Sequence, residues 1–137
     1  MKKVRIAITL LSLIALLLSG CGGKINFEIT ASSKNAKIKI NDAEEGAFAE
    51  IGTMTVNSGK KVHIGSSLNS GKVKIEFCEA VKTSAAGETE EFVAGAILET
   101  AEVIPGENIE LELDPDRYFV QLTTIEQSEG TVEIKIN

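Results

Sequence analysis

Few residues in this chain could do chemistry. His63 is its only histidine, its cysteines are Cys21 and Cys78, and its acids gather between Glu107 and Asp116. A Ser-His-Asp triad would rest on His63 alone, and a zinc site would need ligands other than a second imidazole. His63 stands between Val62 and Ile64, where an alternating strand faces water, and no G-x-S-x-G, H-E-x-x-H or phosphate-loop pattern occurs. The reading is therefore no enzyme, no catalytic residue and no cofactor. Asp114 and Asp116 flank Pro115 beside Glu110 and Glu112. Such oxygen donors suit calcium, so the two aspartates are the candidate metal residues of an alternative small-ligand or calcium-binding reading. The glycine and terminal glutamate of an EF-hand loop are missing, and a solvated acidic turn needs no ion. With no tryptophan and one tyrosine, the chain is poorly equipped to stack sugars.

Cys21 has a different setting. Lys2, Lys3 and Arg5 precede the apolar run Ile6 to Leu18, the layout of a secretion signal. That run is shorter than the roughly 20 residues a membrane-spanning helix needs. It ends in Leu18-Ser19-Gly20-Cys21, which resembles the lipobox of bacterial lipoproteins. The resemblance implies that the Cys21 thiol receives a diacylglyceryl group, that cleavage falls between Gly20 and Cys21, and that the new amino terminus is often acylated. Residues 1–20 are then a signal-peptide helix, 21–24 the lipidated cysteine with a short tether, and 25–137 the folded domain. Each buried methylene contributes about 0.8 kcal/mol, so two or three chains hold the protein stably on the extracytoplasmic face of the cell membrane or envelope.

Removing residues 1–20 leaves 11 bases against 20 acids, a net charge of −9 that argues against nucleic acid as a partner. The charge is uneven along the chain: Cys21 to Lys82 holds nine lysines and seven acids, and Thr83 to Asn137 two bases and 13 acids. This split suggests a lysine-rich half lying on anionic headgroups. With Cys21 lipidated, Cys78 has no partner within the chain for a disulfide. Alternation sets it opposite Phe77, as a small buried hydrophobe, the alternatives being an intermolecular disulfide or a reactive thiol.

Beyond Cys21 the chain reads as strands. Ile25, Phe27 and Ile29 alternate with polar residues, as do Ile38 and Ile40, Val62 and Ile64, Val73 to Phe77, Ile109 to Leu113, Tyr118 to Leu122, and Val132 to Ile136. Phe48 to Val56 is a further strand, with a bulge or bend expected at Gly52. Turns are expected at Ser66 to Gly71 and Pro105-Gly106, a long loop from Ala80 to Glu91, and a hairpin link from Glu126 to Gly130. Phe92 to Ile104 is a continuous apolar run, either a strand buried on both faces or a short helix, and its β-branched residues favour strand. Phe27, Phe48, Phe77 and Phe92 are expected in the core. About nine short strands predict an all-β fold, a single antiparallel β-sandwich, immunoglobulin-like or jelly-roll-like, whose two sheets bury their dry faces together.

Leu111 to Val120 (LELDPDRYFV) resembles a proline turn followed by Tyr-x-Val that is widespread in extracellular β-sandwiches, with Gly130 to Ile136 as the strand that follows. It also resembles the tyrosine corner of immunoglobulin-like folds, in which the hydroxyl bonds back to the chain a few residues upstream. That resemblance implies a structural role for Tyr118. Taken whole, the chain resembles small β-sandwich envelope lipoproteins of unknown function. Its expected role is a binding or scaffolding module for an envelope or extracellular protein, without catalysis.

Overall fold

The computed structural model describes residues 26–83 and 91–137; residues 1–25, with the expected signal helix and lipobox, and residues 84–90 lie outside them. Nine strands follow: β1 (Phe27–Ala31), β2 (Asn35–Ala43), β3 (Phe48–Val56), β4 (Val62–Ser70), β5 (Val73–Thr83), β6 (Glu91–Val103), β7 (Asn108–Leu111), β8 (Asp116–Thr124) and β9 (Ser128–Ile136). No helix occurs among the described residues. The strands form two antiparallel sheets, one ordered β1-β2-β9-β4-β7 and the other β3-β8-β5-β6.

Period-two alternation places the core. On the five-stranded sheet Ile38 stands opposite Val132, and Ile64 opposite Ile134; on the other, Ile75 stands opposite Leu122 and Phe77 opposite Val120. All eight are fully buried. Each large aliphatic or aromatic side chain so buried contributes roughly 1.5–3 kcal/mol. Every buried core residue lies between Phe27 and Ile136, so this stretch carries a core of its own. Gly52 falls at a register shift between β3 and β8, as expected. Gly130 is more tightly constrained. Its φ is 131°, and a Cβ there would run into Leu68 Cα and lie 2.6 Å from Ser67 O.

Several expectations are corrected. Ser66 to Ser70 continues β4 rather than turning, because Ser66 and Leu68 still pair with β9. Glu126 to Gly130 is not a hairpin link: β8 and β9 lie in different sheets, so the connection crosses the sandwich. The loop expected from Ala80 to Glu91 is narrower, since Ala80–Thr83 pairs with Ala94–Glu91. Phe92 to Ile104 lies mainly in a strand but is not buried on both faces. It belongs to β6, an outer strand of its sheet, and Val93, Ile97 and Leu98 are exposed. Phe48, placed in the core from sequence, is 46% exposed because alternation turns Ala49, not Phe48, to the core side of β3, and Phe92 is only half-buried.

Antiparallel pairing fixes which connections share an end. The chain enters at Asn26 at the end that holds the β2–β3, β4–β5, β6–β7 and β8–β9 connections. The β1–β2, β3–β4 and β7–β8 turns, the Thr83–Glu91 pair and Asn137 lie at the far end. There β8 leaves β5 at the Tyr118–Glu79 pair, while β5 and β6 run on together to the Thr83–Glu91 pair. Ala80–Thr83 and Glu91–Ala94 therefore make a two-stranded ribbon that passes the end of β8.

Candidate functional site

His63 lies half-buried on the outer face of the five-stranded sheet, opposite Lys135 on one side and Glu110 on the other. With Gly65, Asn108 and Glu133 these residues line an open hollow of about 440 Å³. The hollow exists because Gly65 places no side chain between its neighbours. The imidazole there has an acid and a base beside it, and no hydroxyl or thiol side chain lines the hollow.

The acidic stretch is already engaged. Lys61 Nζ lies 2.8 Å from Glu110 and 3.5 Å from Glu112. Its ammonium holds the Glu110 carboxyl below the usual carboxylate range through a hydrogen bond and its charge, and the same contacts raise Lys61. Asp116 Oδ1 accepts the Arg117 N–H at 2.7 Å. Asp114 and Asp116 are exposed, and among the described residues no group of three or more His, Cys, Asp or Glu side chains is placed to hold a metal ion. Tyr118 has the geometry its sequence setting implied: its hydroxyl donates to Asp114 O at 2.5 Å, and its ring meets Phe77 edge-on at 6.4 Å. This corner pins the β7–β8 turn to the core.

Cys78 is fully buried on the face opposite Phe77, where burial first, and then the nearby Glu76 carboxylate, push its thiol pKa up. A thiol kept protonated in this way is a poor nucleophile at neutral pH. The charge split along the sequence has no counterpart in space. β2 and β4 of the first half pair with β9 of the second, and β5 pairs with β6 and β8. Lys61 pairs with Glu110 and Lys72 with Glu102 across that division, which removes the motive for a basic face against headgroups.

The unusual surface is the ribbon and the edge leading to it. Val81 (43% exposed) and Val93 (47%) are cross-strand partners on the ribbon. Further along β6, Ile97 (55%), which lies opposite Cys78, and Leu98 (52%) are consecutive and both exposed, which a regular strand would not give. The β5–β6 register shifts between Phe77 and Cys78 and again between Cys78 and Ala80, and such bulges re-aim side chains. On the ribbon's other side Arg117 lies 4.7 Å over the Phe92 ring. With Thr55, Asn57, Ser58 and Asp116 they line a groove of about 540 Å³. Sequence reasoning missed this region; the consecutive Ile97-Leu98 pair inside a strand was the signal for a bulge.

No protein-family model matches the chain, and no curated protein matches it. Solved structures similar to it include the crystal structure of PirA, at 14% identity over 79% of this chain and 97% of that one, with a TM-score of 0.48. A de novo designed double-stranded β-helix shares 16% identity over 76% of this chain and 99% of its own, with a TM-score of 0.40. A cupin-superfamily sugar phosphate isomerase from Silicibacter pomeroyi shares 12% over 88% and 55%, with a TM-score of 0.36.

Proposed function

We propose that the chain is a cell-envelope lipoprotein, held on the extracytoplasmic face by lipid on Cys21, whose sandwich is a non-catalytic binding or scaffolding module for an extracytoplasmic protein. The sandwich is of the jelly-roll type: β2 to β9 take the interleaved orders β2-β9-β4-β7 and β3-β8-β5-β6, with β1 added at one edge. In the immunoglobulin alternative, more consecutive strands share a sheet. Here only β1–β2 and β5–β6 do.

The observation that carries the reading is the arrangement of the two ends. Only residues 22–25 separate Cys21 from Asn26, so lipid on Cys21 would hold the entry end near the bilayer. The ribbon with Val81 and Val93 would then point away from it, toward other envelope or extracellular proteins. Solvent-exposed apolar side chains clustered in this way suit protein contact.

The anchor is tested by mass spectrometry of the N-terminal peptide and by fractionation. The expected result is a diacylated Cys21 at the amino terminus, with Cys21→Ser leaving an uncleaved, unlipidated precursor. An unmodified Cys21 in the wild-type protein would overturn the reading. For the binding role, a photo-crosslinker at Val93 should give one discrete adduct in intact envelopes, where one at Lys39 on the opposite sheet gives none.

A further inference from the structure

β6 is the longest of the four edge strands. Edge strands invite pairing with foreign chains, and proteins blunt them by keeping them short, by placing lysine on them or by bulges. β1 has 5 residues, β7 has 4 and β3 has 9, whereas β6 has 13, and beyond its bulges Glu99 to Val103 pair regularly with β5. No base occurs between Glu91 and Val103; the charges there are Glu91, Glu99 and Glu102. No described strand pairs with the outer side of β6.

The middle of this edge is also held in shape. A Cβ on Gly95 would lie 2.7 Å from Val81 Cγ2 and 2.9 Å from Glu79 Oε1, so any other residue there would push these β5 side chains aside. The Glu79 carboxylate accepts the Ala96 N–H at 3.3 Å, which replaces the ladder bond lost at the bulge. Ile97 and Leu98 follow directly and stay exposed. The edge thus presents an aliphatic pair with carboxylates on its flanks.

We propose that the outer edge of β6 takes an extended segment of a partner protein in which aliphatic residues alternate with lysine or arginine, seated on Ile97 and Leu98. The proposal rests on the binding-module reading and gives the partner its chemistry. Main-chain pairing supplies affinity in strand addition, and side chains at alternate positions supply specificity. An all-acidic edge attracts a basic strand and repels a second copy of itself, since like charges brought together across strands are destabilising.

The test uses residues 21–137 with Cys21→Ser, a stretch that contains the whole core described above. The probes are two fluorescein-labelled peptides of alternating valine with either lysine or glutamate, read by anisotropy and by amide NMR shifts. The lysine peptide should bind at least about tenfold more tightly than the glutamate peptide, weaken in about 0.5 M salt, and shift the β6 amides. Ile97→Ser with Leu98→Ser, which leaves the charge unchanged, should weaken it about tenfold, whereas Phe48→Ser on the other edge of the same sheet should not. If the double variant fails to melt cooperatively, Glu99→Lys decides the same point by reversing the preference between the peptides. Equal binding of both peptides, shifts confined to other strands, or a concentration-dependent dimer that ignores the peptides would each overturn the proposal. Because no membrane is involved, these results stand apart from the lipid on Cys21. An unmodified Cys21 would remove the anchor and leave the edge as it is.

Discussion

The two ends of the sandwich are closed by different means. At the entry end two hydroxyls, each 1% exposed, lace connections together. Thr124 Oγ1 donates to Glu44 O at 2.5 Å and accepts the Ala47 N–H at 2.8 Å. Ser128 Oγ donates to Glu126 O at 2.7 Å and accepts the Lys72 N–H at 3.1 Å. At the far end Tyr118 pins one turn, and the β5–β6 ribbon runs past it with apolar side chains in water. Buried hydroxyls with both hydrogen-bonding roles filled indicate an end shaped for stability. Among the described residues Val81 and Val93 remain exposed on the ribbon, and side chains left in water contribute little to stability.

That contrast can be broken by substitution, and the largest effect belongs to the entry end. Gly130→Ala should destabilise by about 3 kcal/mol or more in urea unfolding, because its Cβ meets backbone atoms of β4 rather than a side chain that can move. A loss below about 1 kcal/mol would mean that this end is not rigid. Next, Thr124→Val should cost about 1–2 kcal/mol by removing both hydrogen bonds of a buried hydroxyl, with the Ala47 N–H keeping its 3.2 Å bond to Glu44 O, whereas Tyr118→Phe at the far end should cost about 1 kcal/mol. If the order of these two reverses, the far end is the more tightly pinned. Val81→Ser should change stability by no more than about 0.5 kcal/mol while weakening the adduct formed by the crosslinker at position 93; a larger loss would show that Val81 is core.

The smallest effect is expected from the Lys61 and Glu110 pair, which is exposed and screened. Glu110 is depressed in the folded protein, so its contribution is present above the ordinary glutamate range, near 4, and is lost as pH falls through the lower folded value. Lys61 is raised, so its part is present below the ordinary lysine range and is lost as pH rises through the higher folded value. Lys61→Met should therefore lower the melting midpoint slightly near neutral pH, and the difference from wild type should vanish in strong acid. A difference unchanged between neutral and acid pH would assign the effect to packing of the lysine stem instead.

Much of the fold was legible because alternation is local. All nine strands, the bend at Gly52, the burial of Phe27 and Phe77, and the role of Tyr118 were readable from neighbours in sequence. Ser66 to Ser70 was misread as a turn because its serines and asparagine carry turn propensity, which pairing with β9 overrides. Phe48 was misplaced because hydrophobicity alone does not tell the dry face of a strand from the wet one, and Phe92 because it lies on the ribbon that runs past the end of β8. Of the candidate site residues, His63, Asp114 and Asp116 were visible by type. The close approach at Gly95, the Arg117–Phe92 stack and the exposed Ile97-Leu98 pair were not, since each depends on a partner strand.

By itself the sequence determined that strands form, and which side of most of them is dry, because a period of two is written residue by residue. Only the tertiary structure decided that β6 lies at an edge and that the lysine-rich and acidic halves interleave. It also set the ribbon at the end opposite chain entry. Those facts depend on which strands become neighbours, and neighbours in a sheet are chosen by packing between residues far apart in the chain.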